Sequence, residues 1–263
     1  MKKNHGINSN AFKLLMMVVV FTSVWITGCA QKVVVRETEK NVVTEIVQVP
    51  SVSAKTIFFD DFSQASQATN RNLWKSNGKA HWIWQGKTSS SQGCTDGCLK
   101  QNSESDRALN AIQYVQTPQI TDAIITTKTR INYDMSVAST ADELKKLRYF
   151  IGTGIIFRMV DENNYYMFRL AGEEGCVLGK MVDGRWVDLA NPRRLNFLEG
   201  GRVKPNNWYN LTVRVLGSNI QCLINDSPVI NYNDFNTELT VGHFGLTTFK
   251  CFGDFEFLKV NSF

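Results

Sequence analysis

The sequence has little of what would make a chain fibrous, disordered or repeatedly membrane-spanning. Only 5 of its 263 residues are proline, 18 are glycine, and 43% are apolar. Such a composition excludes a collagen-like, low-complexity or wholly disordered chain. One short apolar run, at residues 14–26, stands where a multi-span membrane protein would need several long runs. The length fits one or two globular domains.

Excess positive charge and metal-ligand spacings are also scarce. Lys and Arg number 29 against 24 Asp and Glu, and setting aside Lys2, Lys3 and Lys13 near the N-terminus leaves 26 against 24. No basic run is longer than a pair such as Arg193-Arg194, so the chain lacks the electrostatic footprint of a nucleic-acid-binding protein. The three histidines form no paired spacing with cysteine, which disfavours a zinc site.

The first 28 residues have the pattern of a bacterial export signal. Residues 1–13 carry three lysines and no acid, and an almost unbroken apolar stretch follows at residues 14–26. This stretch is shorter than the about 20 residues that a spanning helix needs, so a cleaved signal peptide explains it better. The segment Ile26-Thr27-Gly28-Cys29 resembles the lipobox of bacterial lipoproteins. The resemblance implies that Cys29 is acylated after cleavage; the alternative is an ordinary secretory signal whose cysteine enters a disulfide.

Acylation of Cys29 would place the mature protein on a membrane. Two or more acyl chains anchor a protein stably, at about 0.8 kcal/mol per buried methylene. By resemblance to Gram-negative lipoproteins, Ala30 after the cysteine, instead of aspartate, implies the outer membrane. The protein would then face the periplasm or the cell surface, and the membrane is its first expected partner.

Two regions follow the signal. Residues 29–56 alternate valine clusters with charges, which predicts a tether that lets a folded domain stand away from the membrane. The alternative is an extra edge strand over residues 42–49. From residue 57 the aromatic density rises, and short apolar segments are separated by turn signals, with one helical pattern at residues 140–147. This pattern predicts one all-β sandwich domain over residues 57–263.

A β-hairpin is predicted around the turn-rich stretch 161–164. The turn implies that Arg158 opposes Met167 and that Ile156 opposes Arg169. Because side chains alternate along a strand, one face of this hairpin is wholly apolar and is expected in the core. The other face is the more polar one.

Two-residue turns mark two further hairpins. Asp183-Gly184 is the strongest short hairpin signal in the chain. Gly217-Ser218 predicts a second such hairpin, with Val213 opposite Cys222. Successive hairpins predict antiparallel sheets.

A set of aromatic and turn motifs follows in order from residue 57 onward. They are Phe59-Asp60-Asp61-Phe62, Trp74, Trp82, Gly154-Ile155-Ile156-Phe157-Arg158, Asn164-Tyr165-Tyr166-Met167-Phe168-Arg169-Leu170, Asp183-Gly184-Arg185-Trp186, Asn207-Trp208-Tyr209, Gly242-His243-Phe244-Gly245-Leu246 and Phe255-Glu256. Together they resemble the concanavalin A-like lectin/glucanase superfamily, with closest similarity to its laminin-G-like branch and to 3-keto-disaccharide hydrolase-type domains. The resemblance implies a two-sheet antiparallel jelly-roll sandwich whose concave face often meets carbohydrate. Fold alone does not settle function.

Candidate sugar-binding residues follow from the chemistry of a pyranose, which needs flat aromatic faces and planar hydrogen-bonding groups. Arg158, Tyr165 and Arg169 should project together from the more polar hairpin face. Trp82 and Trp84, two residues apart on one strand, should share a face. The alternatives are a solvated outer sheet face for the arginines and core packing for the tryptophans.

Catalytic carboxylates are not evident in the sequence. Glycosidases of this superfamily present paired carboxylates on one strand, in patterns such as Glu-x-Asp-x-x-Glu. Glu104-Ser105-Asp106 only begins such a match, and Asp254 and Glu256 stand two apart where a structural role is expected. We therefore expect a noncatalytic, membrane-anchored module that binds a carbohydrate or glycan. The alternatives are a glycoside-cleaving hydrolase of the same superfamily and a structural or protein-interaction lipoprotein.

Three acids form a candidate structural calcium site. Asp60-Asp61 and Asp254 would converge if the first and last strands were neighbours, and oxygen-rich sites of this kind suit Ca²⁺. The alternative is that backbone amides hold these acids at turns and strand ends. We expect no other cofactor.

Five cysteines remain for the folded domain. Cys94 and Cys98 flank a short loop, and an oxidising periplasm would favour a bridge between them. Cys222 falls on the apolar face of its hairpin, where a free thiol behaves as a small hydrophobic group. Cys176 and Cys251 have no assigned pairing.

Overall fold

The protein is described here by a computed structural model that divides into two compact units, residues 1–52 and 53–263. The expected signal peptide, Cys29 and the helical pattern at 140–147 lie outside the described residues. Within the described part of the chain, no helix is long and apolar enough to span a bilayer. The structure describes residues 32–38, 41–47, 54–86, 94, 97–101, 110–132, 151–172 and 175–263.

The first unit contains a β-hairpin. Strands β1 (Lys32–Thr38) and β2 (Asn41–Val47) pair antiparallel and form a two-stranded sheet of their own. Lys32 opposes Val47 and Thr38 opposes Asn41. The segment expected to be an extended tether thus holds two strands, which pair with each other.

The second unit is built from two antiparallel sheets. The seven-stranded sheet has the order β12-β11-β10-β9-β16-β7-β4, and the eight-stranded sheet has the order β15-β14-β13-β8-β17-β6-β5 with β3 also paired to β17. The strands are β3 (Thr56–Asp60), β4 (Trp74–Ser76), β5 (Trp82–Gly86), β6 (Gly97–Gln101), β7 (Asn110–Ile120), β8 (Ala123–Asn132), β9 (Gly152–Asp161), β10 (Asn164–Leu170), β11 (Cys176–Val182), β12 (Arg185–Ala190), β13 (Tyr209–Leu216), β14 (Asn219–Ile224), β15 (Ser227–Asn233), β16 (Gly242–Phe249) and β17 (Phe252–Asn261).

One short α-helix and two single turns of 3-10 helix complete the described part of this unit. Ser63 is the N-cap of helix α1 (Gln64–Asn70), and its hydroxyl accepts a hydrogen bond from the backbone N–H of Ser66. The 3-10 turns are Arg71–Leu73, which follows α1 directly, and Glu199–Gly201.

The core lies between the two sheets and is rich in aromatic rings. Phe157 and Tyr166 stack with their ring centroids 5.2 Å apart, and Phe58 meets Trp74 edge-on at 5.9 Å. Burial of each large apolar side chain contributes about 1.5 to 3 kcal/mol, so this layer stabilises the unit. The predicted all-β, two-sheet antiparallel sandwich is confirmed.

The hairpins at both two-residue turns are present, and the one at Gly217-Ser218 has the predicted register. Leu216 opposes Asn219 across Gly217-Ser218, and Val213 opposes Cys222 further along. Val182 opposes Arg185 across Asp183-Gly184. Short turns that contain glycine hold the strand ends in a single alignment, which explains why the sequence alone was sufficient here.

The predicted register of the β9–β10 hairpin is wrong beyond its turn. Ile156 opposes Met167 instead of Arg169, because a bulge sets three residues of β9, 158–160, opposite the single residue Tyr165 of β10. Arg158 lies in this bulge with a φ of 48°, in the left-handed region. The irregularity exchanges faces locally, so that Met159 joins Ile156 in a cluster on the outer side of the sheet while Arg158 turns elsewhere.

Candidate functional site

The outer face of the seven-stranded sheet, on the side away from the core, carries a second apolar cluster. Its centre is buried, although a sheet face turned away from the core would be expected to meet water. Half-exposed Tyr114, Met181 and Trp186 pack around that centre. The buried residues are Ile112, Ile156, Met159, Tyr165 and Met167.

Two contacts show that this outer face is concave. Asn110 on β7 donates a hydrogen bond from Nδ2 to the hydroxyl of Tyr165 on β10 at 2.9 Å. Lys79, just after β4, forms an ion pair of 3.4 Å with Glu162 in the β9–β10 turn. β7 and β10 are three strands apart, about 14 Å in a flat sheet. The sheet must therefore curve toward this side, which we call the concave face.

Trp186 forms a flat platform at one edge of the concave face. It opposes Met181 on the neighbouring strand, and its indole lies so close over Gly179 that a Cβ there would overlap the ring. The indole Nε1 donates a hydrogen bond to Oδ1 of Asp188 at 2.7 Å. Because Asp188 is exposed, its carboxylate is also available to a ligand that rests on the ring.

A second aromatic pair lies toward the other side of the concave face. The rings of Tyr114 and His243 are 5.4 Å apart with a tilt of 41°. Nε2 of Gln119 lies 3.4 Å from Nε2 of His243 and donates a hydrogen bond to it in the tautomer whose Nε2 is unprotonated. Aromatic faces and amide groups together are what sugar rings require.

Arg158 does not lie on the concave face, contrary to the expectation that it projects with Tyr165 and Arg169. It is 2% exposed, and its Nε donates a hydrogen bond to the carbonyl of Thr121 at 2.9 Å while Nη2 bonds Asp122 at 3.2 Å. The bulge in β9 is the cause, because it turns this side chain toward the β7–β8 loop.

Tyr165 and Arg169 do lie on the concave face, where Tyr165 is buried and Arg169 is half-buried. Tyr165 is buried, and burial raises the pKa of its hydroxyl, which accepts the hydrogen bond from Asn110. The guanidinium of Arg169 lies 4.9 Å from the centre of the Phe249 ring, and its Nη1 donates a hydrogen bond to the carbonyl of Leu170. Both residues therefore support the floor of the face.

Trp82 and Trp84 share a face, as expected, but that face is the core side of the eight-stranded sheet. The ring centroid of Trp84 lies 5.3 Å from that of Phe62 and 5.7 Å from that of Trp74, and both pairs meet edge-on. The ring centroids of Trp82 and Phe255 are 6.1 Å apart. The alternative of core packing is the one observed, and this placement removes both tryptophans from the candidate binding surface.

The three calcium candidates do not converge. Strands β3 and β17 are neighbours as expected, but Asp60 opposes Leu258, four residues and about 13 Å along the strand from Asp254. Nη2 of Arg130 forms an ion pair with Asp254 at 2.6 Å. Among the described residues, no group of three or more His, Cys, Asp or Glu side chains is placed to hold a metal ion.

Asp60 and Asp61 instead organise the turn that leads into helix α1. Asp60 accepts hydrogen bonds from the backbone N–H of Phe62 at 2.8 Å and from Trp74 Nε1 at 2.9 Å, and burial raises its pKa. Burial acts to raise the pKa of the Asp61 carboxyl, but the hydrogen bonds from Ser63 and Ser66 outweigh it and lower that pKa. These acids are held by donors within the fold, as the alternative foresaw.

The carboxylates of the described residues that lie by the concave face are engaged with neighbouring side chains. Asp188 is bonded to Trp186, and Glu162 is paired with Lys79 at the rim. Asp254 and Glu256 belong to β17 of the other sheet, where they pair with Arg130 and Lys128. Glu104 and Asp106 lie outside the described residues.

The predicted disulfide between Cys94 and Cys98 is present, with Cα atoms 5.9 Å apart. Cys176, Cys222 and Cys251 are free thiols. Cys222 is fully buried on the inner face of its hairpin, as expected.

Comparison with solved structures shows the fold. A carbohydrate-binding module from Bacillus subtilis is 14% identical, with a TM-score of 0.52, and the match covers 70% of this chain and 92% of that chain. A protein of unknown function with a galectin-like fold, also from Bacillus subtilis, is 11% identical, with a TM-score of 0.52, and the match covers 79% of this chain and 96% of that chain. The fold is the two-sheet antiparallel β-sandwich that these structures share. No family model matches the chain, and no curated protein does.

Sequence reasoning missed the rim residues of the concave face. For Trp186 a signal existed: the Asp183-Gly184 turn sets it opposite Met181, and that register could have been extended across β10. Tyr114 and His243 had no comparable signal, because their strands pair across more than 100 residues of intervening chain.

Proposed function

We propose that the protein is an extracytoplasmic, membrane-anchored lipoprotein whose β-sandwich binds a glycan without cleaving it. The observation that carries this proposal is the concave face, with half-exposed Trp186, Tyr114 and His243 at its rim. Flat rings stack on the apolar side of a pyranose, and nearby amide and carboxylate groups bind its hydroxyls. The carbohydrate-binding module among its structural neighbours is compatible with this ligand class.

Trp186 is the central contact in this proposal. Its contact with Gly179 and its hydrogen bond to Asp188 hold the indole in one orientation before any ligand arrives. A preorganised ring loses little conformational entropy on binding, which favours affinity. Asp188 would then accept a hydroxyl hydrogen from the sugar that stacks on the ring.

Binding without cleavage is favoured by the carboxylates of the described residues. Two-carboxylate hydrolysis needs two such groups facing each other across the sugar, about 5 to 10 Å apart. On the described part of the concave face, Asp188 and Glu162 are each bound to a neighbouring side chain. The hydrolase alternative would need carboxylates from outside the described residues.

The anchor is supported by the lipobox-like segment that ends at Cys29 and by the disulfide at Cys94 and Cys98. Structural disulfides persist in oxidising compartments, so the bridge agrees with export. Ala30 favours the outer membrane of a Gram-negative bacterium, facing the periplasm or the cell surface.

Retention on a glycan array tests the binding site. We expect Trp186→Ala to lower retention at least tenfold, because the stacking platform is lost. Val187→Ala, which truncates an exposed side chain on the same strand, is the matched control and should bind like wild type. Thermal unfolding of each variant verifies the fold. Equal retention by Trp186→Ala, or no retention of the wild-type chain on any glycan, would refute the assignment.

Metabolic labelling with radioactive palmitate tests the anchor separately. The wild-type chain should carry the label, and Cys29→Ser should not. Label in the Cys29→Ser chain, or none in wild type, would refute lipidation at this residue without affecting the glycan test.

A further inference from the structure

Exposed apolar side chains are concentrated at one end of the sandwich. Among the described residues, eight large hydrophobic side chains are exposed, and five of them lie at this end with exposed fractions between 43% and 78%. We call this surface the apolar end. Its five members are Val160, Leu216, Phe235, Val241 and Phe263.

The strand directions place these five residues at the same end of the sandwich. The short link Thr121-Asp122 joins the end of β7 in one sheet to the start of β8 in the other, so those two strand ends coincide. β9 and β7 both run antiparallel to β16 and thus end at the same side, and β13 ends where β8 begins. The β15–β16 loop and the C-terminus after β17 emerge there as well.

Hydrogen bonds hold the loops of the apolar end in place. Oδ1 of Asp122 accepts the backbone N–H of Gly217 at 2.8 Å and also binds Arg158. The backbone N–H of Asp234 donates to the carbonyl of Ser218 at 2.9 Å. The carboxylate of Asp234 accepts the hydroxyl of Tyr166 at 2.7 Å. Leu216 and Phe235 therefore project from loops that these hydrogen bonds hold in place.

The chain that leads back to Cys29 leaves the sandwich from the same end. β3 begins at Thr56, which opposes Asn261, and Asn261 in turn opposes Ile124 near the start of β8. Upstream, the β1–β2 hairpin sets Lys32 opposite Val47, so the hairpin returns the chain to its starting point.

We propose that the apolar end rests on the surface of the lipid bilayer to which Cys29 is anchored. This inference depends on the lipid anchor of the proposed function. Phenylalanine, leucine and valine side chains enter the boundary between headgroups and acyl chains, and this burial drives interfacial binding. Exposed Asp122, Asp161 and Asp183 share this end with exposed Lys55 and Arg185, so the end carries charges of both signs and has no strong preference for anionic headgroups. The matching surface is therefore zwitterionic.

Docking by the end has a consequence for the glycan site. The concave face lies on the flank of the sandwich, and Tyr114 lies in the middle of β7, so contact of the apolar end with the bilayer leaves Tyr114 accessible. Trp186, two residues past the Asp183-Gly184 turn, lies close to the docked end. The domain would then hold its ligand close to the membrane instead of standing away from it.

Vesicle flotation of the mature chain, residues 29–263, tests the docking without the acyl anchor. Every protein carries Cys29→Ser, so that no lipid is attached, and the vesicles contain phosphatidylcholine and phosphatidylethanolamine. We expect the parent to float and Leu216→Ser/Phe235→Ser to float at least fivefold less. Phe197→Ser is the matched control, because Phe197 is 43% exposed in the loop at the opposite end of the sandwich. It should float like the parent.

Two outcomes would overturn the proposal: a parent chain that stays with the soluble fraction, and a double variant that floats like its parent. Thermal unfolding of the variants separates lost docking from lost fold. Palmitate labelling distinguishes a failure of docking from a failure of the lipid anchor. A labelled wild-type chain whose unacylated form does not float refutes docking alone, whereas a floating chain without label refutes the anchor alone.

Discussion

One carboxylate oxygen links the two sheets. Oδ1 of Asp122 accepts a hydrogen bond from Arg158 Nη2 at 3.2 Å and another from the backbone N–H of Gly217 at 2.8 Å. It thereby joins the bulged strand β9 to the β13–β14 turn. Arg158 is almost wholly buried, and burial lowers its pKa, while the charge of Asp122 opposes that shift. Arg158, which the sequence predicted to bind sugar, thus helps to connect the two sheets.

Replacing Arg158 with Ala should lower the free energy of unfolding by about 3 kcal/mol, because it leaves a cavity and unpairs the Thr121 carbonyl. Urea unfolding at pH 7 measures the change. The control is Arg214→Ala, an exposed arginine bonded to Gln221, which should cost less than about 0.5 kcal/mol. A variant at Arg158 as stable as wild type would contradict this role.

Substituting Gly179 with Ala should displace Trp186, since the new methyl group would overlap the indole ring. We expect weaker glycan retention, a shifted tryptophan emission maximum and a stability loss of about 1 to 3 kcal/mol from overpacking. Val187→Ala, on the exposed side of the same hairpin, serves as the comparison. Unchanged retention with a shifted emission maximum would show that the orientation of Trp186 is unimportant for binding.

Asp234 should make stability depend on pH. Burial raises the pKa of its carboxyl, but hydrogen bonds from Lys180 and Tyr166 prevail and lower it below the ordinary value of 3.8. The unfolded chain therefore takes up the proton first, so the carboxylate stabilises the fold above about pH 3.8 and loses this effect as the pH falls through the folded pKa.

Asp234→Asn should consequently cost about 1 to 3 kcal/mol at pH 7, and the difference from wild type should narrow at pH 3. Unfolding in urea at both pH values measures it. Asp226→Asn, an exposed turn residue, should change stability little at either pH. A difference that is constant between pH 7 and pH 3 would contradict the linkage.

Thiol titration should distinguish the bridged cysteines from the free ones. In the Cys29→Ser chain, denaturation without reductant should release three reactive thiols, and reduction should raise the number to five. In the native state we expect slow alkylation at pH 8, because burial raises the pKa of Cys176 to about 12 and that of Cys222 well above its usual value. Five thiols before reduction would contradict the bridge.

The extent of sequence-based prediction followed the range of the interactions. The Gly217-Ser218 and Asp183-Gly184 turns predicted their hairpins correctly, because a two-residue turn holds the adjacent strands in one register. The β9–β10 hairpin failed three residues from its turn, where the bulge at Arg158 shifts the register. Nothing in the local pattern of apolar and polar residues marks that bulge.

The sequence by itself determined the antiparallel sandwich and the Cys94–Cys98 bridge, because these depend on alternation, turns and short spacing. Only the tertiary structure decided which residues form the concave face. Tyr114, His243 and Trp186 meet there through pairings of distant strands and through curvature that joins Asn110 to Tyr165. The same strand order also gathers Leu216 and Phe235 at one end of the sandwich. Such groupings arise from the three-dimensional path of the chain, which no local pattern encodes.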